Sequence, residues 1–144
     1  MEQIDHVELF VPDRHEAAKW YARVLGLRIL PQHEDWSDDP SGPLMISSDG
    51  GRTMVALFTG TPQGAAPPTG WRRVAFRVDA AAFVRFLEHG LTNGVFDAEG
   101  ARLEALEVVD HSKAFSVYFC DPWGNRLEVT SYDYGKLQIS LRRD

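Results

Sequence analysis

His6-Val7-Glu8-Leu9-Phe10-Val11-Pro12-Asp13 and Arg73-Val74-Ala75-Phe76-Arg77-Val78-Asp79 are two versions of one pattern. In each, apolar residues alternate along the segment with the period of a strand, and an aspartate follows where it can cap a helix. The first helix carries Ala17, Tyr21, Val24 and Leu25 on one face, with Asp13 and Glu16 as a capping box and Gly26 as its stop. The second carries Phe83, Phe86 and Leu87 and ends before Gly90. Beyond the first helix, Leu27 to Glu34, Pro43 to Ser48 and Thr53 to Thr59 read as strands, separated by the polar loop Asp35 to Gly42 and the turn Asp49-Gly50-Gly51. Beyond the second, strands are predicted over Leu103 to Val109, Phe115 to Cys120 and Asn125 to Tyr132, with the turn Asp121-Pro122-Trp123-Gly124 before the last. The chain therefore reads as an α+β protein of two tandem β-α-β-β-β modules, residues 1–60 and 71–144, within a single domain spanning 1–144. Between them Gly60 to Gly70, uncharged and holding three prolines and three glycines, is a linker.

Composition bounds the function classes. A chain of 144 residues, 44% hydrophobic and 25% charged, buries a real core without staples and is too short for a TIM barrel. Its net charge of -6, with basic residues scattered, argues against a nucleic-acid partner. No apolar run approaches the ~20 residues that a bilayer-spanning helix needs, and the first residues are not those of a signal peptide. One cysteine, Cys120, forms no internal disulfide, so the expected location is the cytoplasm; Cys120 itself reads as a packed, inert thiol.

Two twisted, half-open mixed sheets of four strands, set side by side, would enclose a cleft. Strand parity then nominates the side chains lining it: His6, Glu8 and Phe10, then Arg73, Ala75 and Arg77, with Arg126, Glu128 and Thr130 from the last strand. This parity points His6 and Glu128 at a common cleft. Trp71, Met54, Phe58 and Phe10 read either as a wall for an apolar ligand or as ordinary core. His15 and His89, at helix ends, read as surface residues.

The segments His6 to Asp13, Trp20-Tyr21, Leu25-Gly26-Leu27 and Tyr118 to Glu128, the last with its Asp-Pro-x-Gly-Asn-x-x-Glu turn, resemble the vicinal oxygen chelate superfamily. This is the group of glyoxalase I, extradiol dioxygenases, fosfomycin-resistance and bleomycin-resistance proteins, and the resemblance runs from residue 4 to about 134. It implies the glyoxalase-like fold and a divalent metal held by four residues, one from the first and one from the last strand of each module, usually His, Glu, His, Glu. Position by position, His6 matches the first and Glu128 the fourth, while the second falls near Met54 and the third on Arg73. Tyr118 matches a tyrosine whose hydroxyl often enters the family's cleft, and Ser116 and Cys120 share its parity. Glu8 is a replacement ligand, with His33 and His111 more remote ones. The resemblance also implies a homodimer, often with modules exchanged between chains.

Two readings stand side by side. In one, the chain is a metal-dependent lyase, isomerase or dioxygenase-like enzyme acting on a small oxygenated molecule, with His6 and Glu128 as metal ligands, Glu128 doubling as catalytic base, and Arg73, Glu8, Tyr118, Ser116 and Met54 binding substrate. A guanidinium ~4 Å from a divalent ion works against it: like unit charges there repel by about 4 kcal/mol at an effective dielectric near 20, and a divalent ion doubles this. In the other, the chain binds or sequesters a small ligand without metal, using Arg73 as anion anchor.

Overall fold

The computed structural model describes residues 4–60 and 73–142. Two compact units divide at Pro67 and Pro68. The linker predicted at 60–70 lies, apart from Gly60, outside the described residues, as does Trp71.

The first unit runs β1 (His6–Val11), α1 (Arg14–Leu25), β2 (Arg28–Ile29), a 3-10 segment (Pro31–Asp38), β3 (Leu44–Ser47) and β4 (Met54–Thr59). Its sheet has the order β1-β4-β3-β2. The first and last strands pair in parallel, His6 against Met54 through Val11 against Thr59, and the rest of the sheet is antiparallel. One face sets Leu9, Leu57, Leu44, Val55 and Ile46, all buried, on the side that packs against Ala17, Tyr21 and Val24 of α1. The other face carries His6, Glu8 and Phe10 on β1 and Met54, Ala56 and Phe58 on β4, where Phe10 and Phe58 approach with ring centroids 6.0 Å apart.

The second unit repeats the plan with β5 (Val74–Arg77), α2 (Ala80–Asn93), β6 (Val108–Asp110), β7 (Phe115–Cys120), β8 (Arg126–Ser131) and a further helix α3 (Tyr134–Ser140). The order β5-β8-β7-β6 again sets first strand parallel to last. Val74 and Phe76 lie beside Leu127 and Val129 on the helix side, with Phe83 of α2 fully buried. The two tandem modules and their four-stranded mixed sheets are thus as expected from the repeat.

Four local expectations are corrected. Residues 31–34 are the start of the 3-10 segment rather than a strand: Pro31 has no N–H for a ladder and sits at the segment's first position. The guanidinium of buried Arg14 donates to the carbonyls of Ser37, Asp39 and Gly42, tying the loop that follows to α1. Residues 103–107 are not strand, and pairing begins only at Val108. Glu16 does not close a capping box by any observed bond. Asp13 accepts from the amides of His15 and Glu16, whereas the Glu16 carboxylate takes the Lys19 ammonium. The second helix does not end before Gly90 but runs through it to Asn93, with Gly94 as its cap. The tail beyond Asp133, to which the sequence assigns no element, is a helix in which Leu137 is fully buried and Tyr134 stacks on Phe115 at 4.9 Å.

The turns before β4 and β8 are built alike. Asp49 Oδ1 accepts from the amides of Arg52 and Thr53 and from Ser47 Oγ; Asp121 Oδ1 accepts from Trp123 and Asn125. The Thr53 amide, followed by the Ser47 hydroxyl, holds the Asp49 carboxyl below its ordinary 3.8. A folded pKa below the unfolded one means stabilisation that is present above about pH 4 and lost as the pH falls. Asp49→Asn is accordingly expected to flatten the acid limb of a stability-against-pH curve below pH 4, measured by denaturant midpoints; an unchanged acid limb would show the carboxylate to be without effect.

Candidate functional site

The parallel β5–β8 pairing lays a polar band across the second sheet on the face away from α2. Ala75 lies opposite Glu128 and Glu128 opposite Tyr118; the next row is Arg77, Thr130 and Ser116. Ala75 offers only a methyl group there. Arg73, just before β5, lays its guanidinium over the Tyr118 ring, with Cζ 4.2 Å from the centroid. The hydroxyl of that tyrosine is engaged by His111 Nε2 at 2.8 Å, so Tyr118 is held at both its face and its tip. Ser116 Oγ donates to Glu128 Oε1 at 2.7 Å and lies 3.0 Å from Thr130 Oγ1, which fixes the half-buried carboxylate.

An open pocket of about 270 Å³ adjoins this band, lined in part by Arg73, Tyr118, Cys120, Arg126, Phe96 and Leu103. Phe96 is pinned there by paired backbone bonds with Cys120, at 3.1 and 2.7 Å. Asp97, also in the lining, spends Oδ1 on the amides of Glu99 and Ala101 within its own turn. Burial, then the neighbouring Asp121 charge, pushes the Cys120 thiol up, so it adds no negative charge at neutral pH.

Arg73 is the unusual member. Its Nε is buried and has no hydrogen-bond partner, and no acid lies within ion-pair distance of Arg73 among the described residues. Neither Arg73 nor Arg126 forms an ion pair with Glu128; the carboxylate is held by Ser116 instead. Burying a guanidinium donor without an acceptor costs roughly 1–3 kcal/mol, more than the ~0.5–1 kcal/mol returned by an exposed cation–π contact.

Of the site residues read from the sequence, Arg73, Tyr118, Ser116 and Glu128 come together on the second unit. His6, Glu8 and Met54 belong to the first. His6 Nδ1 lies 2.7 Å from Asp5 Oδ2, and Nε2 lies 3.7 Å from Glu8 Oε1. Met54 is buried with Leu30, Met45 and Ala56, Phe58 packing against them. Strand register adds a detail: Glu128 faces Ala75, two residues beyond Arg73, and the same step from His6 leads to Glu8 and its partner Ala56. Neither Met54 nor Ala56 supplies an oxygen or nitrogen side-chain donor. His33 stacks on the exposed Trp36 at 4.3 Å. His111 serves Tyr118. Sequence reading missed the roles of Phe96 and Leu103 as pocket lining. Arg126 was nominated by its parity with Glu128; Phe96 and Leu103, outside any regular strand, carried no such signal.

The residues present do not fit the family's metal. A guanidinium donates only and does not ligate, and the buried Met54 thioether sits among apolar neighbours, which leaves one imidazole and one carboxylate of the four positions. Among the described residues, no three His, Cys, Asp or Glu side chains form a group that could hold an ion.

The model of the Glyoxalase/Bleomycin resistance protein/Dioxygenase superfamily matches residues 3–129, and the chain belongs to that superfamily. No curated protein matches it. Among solved structures, it is similar to the integron cassette protein HFX_CASS4 from the mobile metagenome of the Halifax Harbour sewage outfall, with TM-score 0.64, 19% identity and coverage of 91% of this chain and 99% of that one. It is also similar to the oxidase ChaP-H1 (0.63, 22%, 94% and 99%) and to the fosfomycin resistance protein FosX from Mesorhizobium loti (0.61, 18%, 98% and 98%). At these identities the likeness is one of fold.

An unpaired guanidinium makes a prediction about stability. Arg73→Met keeps the apolar stem and removes the stranded donor, so chemical denaturation is expected to show unchanged stability or a gain of about 1 kcal/mol. A loss above ~1.5 kcal/mol would mean that Arg73 is a structural residue.

Proposed function

We propose that this protein binds a small anionic molecule without a metal, with Arg73 as its anchor. The observation that carries the reading is Arg73 itself, a half-buried guanidinium stacked on Tyr118 with an unpaired Nε and, among the described residues, no acid at ion-pair distance. A structural arginine in such a place would be expected to have an acidic partner, since an uncompensated buried charge is costly. An oxyanion supplies the missing acceptor, and the planar fork grips carboxylate or phosphate in bidentate fashion. Nε is closed to a water-sized molecule as the side chain stands, so a small turn about its flexible stem brings it to a ligand oxygen. Arg126 adds a second positive charge to the same pocket. Glu128, oriented by Ser116, would accept a hydrogen bond from a ligand hydroxyl rather than act as base or metal ligand. Glu8, His6 and Met54 contribute under this reading only where the family's cleft between modules is formed, and a cytoplasmic homodimer is the state in which we place it.

One charge-assisted bidentate contact contributes about 1.5–3 kcal/mol, so its loss weakens binding roughly 10- to 100-fold. At low ionic strength, acetate and inorganic phosphate are expected to raise the Tm of the wild-type protein by several degrees at saturation, since a ligand at ~100 times its Kd adds about 2.7 kcal/mol. The same anions should leave Arg73→Ala unmoved. Equal shifts in both proteins would contradict the reading.

A further inference from the structure

The anchor reading leaves the ligand's body unspecified, and the second unit's pocket says more about it. We infer that the ligand is a small, flat, conjugated carboxylate, of the size and shape of a benzoate or a short unsaturated acid; this rests on Arg73 being the anion anchor. Three observations carry it. The pocket volume of about 270 Å³ lies just under the usual range for drug-sized ligands and suits a smaller molecule.

The second observation is the state of Tyr118 beside the anchor. The guanidinium lies within stacking distance of the Tyr118 face, and the Tyr118 hydroxyl is occupied by His111. Tyr118 thus has one face under the guanidinium and its hydroxyl engaged, and offers the ligand apolar ring contact rather than a hydroxyl. A carboxylate gripped in bidentate fashion lies in the plane of the fork. A body conjugated to that carboxylate continues in the same plane, whereas a saturated body bends out of it. The third is the lining itself. Phe96, Leu103 and the Tyr118 ring supply apolar contact; two guanidinium groups face one aspartate whose Oδ1 is already committed, and the thiol of Cys120 is neutral. Net positive charge beside aromatic surface selects an anion with a flat apolar body over a free inorganic ion or a sugar.

Isothermal titration of the full chain tests this with four probes of defined chemistry: benzoate, its neutral isostere benzamide, its saturated counterpart cyclohexanecarboxylate, and acetate. Benzoate is expected to bind at least 10-fold more tightly than each of the other three, and Arg73→Ala to lose that advantage over benzamide. Phe96→Ala, which leaves the anchor in place, should weaken benzoate at least 3-fold while leaving acetate unchanged. Benzoate no tighter than acetate or cyclohexanecarboxylate, with all of these anions still sensitive to Arg73→Ala, would overturn the flat-body inference and leave the anchor standing. Benzamide equal to benzoate on the wild-type protein would overturn both, and this comparison needs no variant to fold.

Discussion

The parallel pairing of each unit's first strand with its last is the constraint on which the rest depends. A parallel pair needs a long crossover, and in both units that crossover is a helix followed by two further strands. Closing the sheet this way brings residues far apart in sequence into one row: Ala75 beside Glu128, with Tyr118 next across. It also gives the two sheet faces different work. One takes the helix and is apolar; the other is left to carry chemistry, and on the second unit it carries Arg73, Glu128, Tyr118 and Ser116.

Within that frame, Arg73 sets the character of the site, because a guanidinium is a donor that seeks an acceptor. The acid nearest in the band, Glu128, is held by Ser116 and not by Arg73, so among the described residues no acid pairs with the Arg73 guanidinium. Retaining a destabilising group in a pocket is a common sign of a site selected for binding rather than for stability.

Much of this was legible in the sequence because it depends on period and spacing. Alternation over six residues fixes which side chains share a face, so the grouping of Arg73 with Glu128 followed from parity, whereas Tyr118, and Ser116 through its parity with Tyr118, came from the family resemblance. The two β-α starts followed from Asp13 and Asp79 at their caps, both of which accept amide hydrogen bonds in the first turns. What stayed hidden was set by tertiary contact. The 3-10 segment depends on Pro31 and on Arg14 reaching the Ser37, Asp39 and Gly42 carbonyls. The terminal helix depends on a buried place for Leu137 and a ring for Tyr134 to meet. Phe96 reaches the pocket through an isolated bridge to Cys120, which no local pattern announces. The His111 contact with Tyr118 joins a loop to a strand in the same way.

The central claim is that the Arg73 side chain receives an anion, and its Nε–Hε resonance reports this at the atom concerned. In nitrogen-proton spectra assigned with Arg73→Lys, addition of benzoate is predicted to move that resonance downfield and slow its exchange with water, as a hydrogen bond to an oxyanion requires. An Arg73 resonance unchanged at saturating benzoate, with other pocket signals shifting, would show the ligand held by something else and contradict the account.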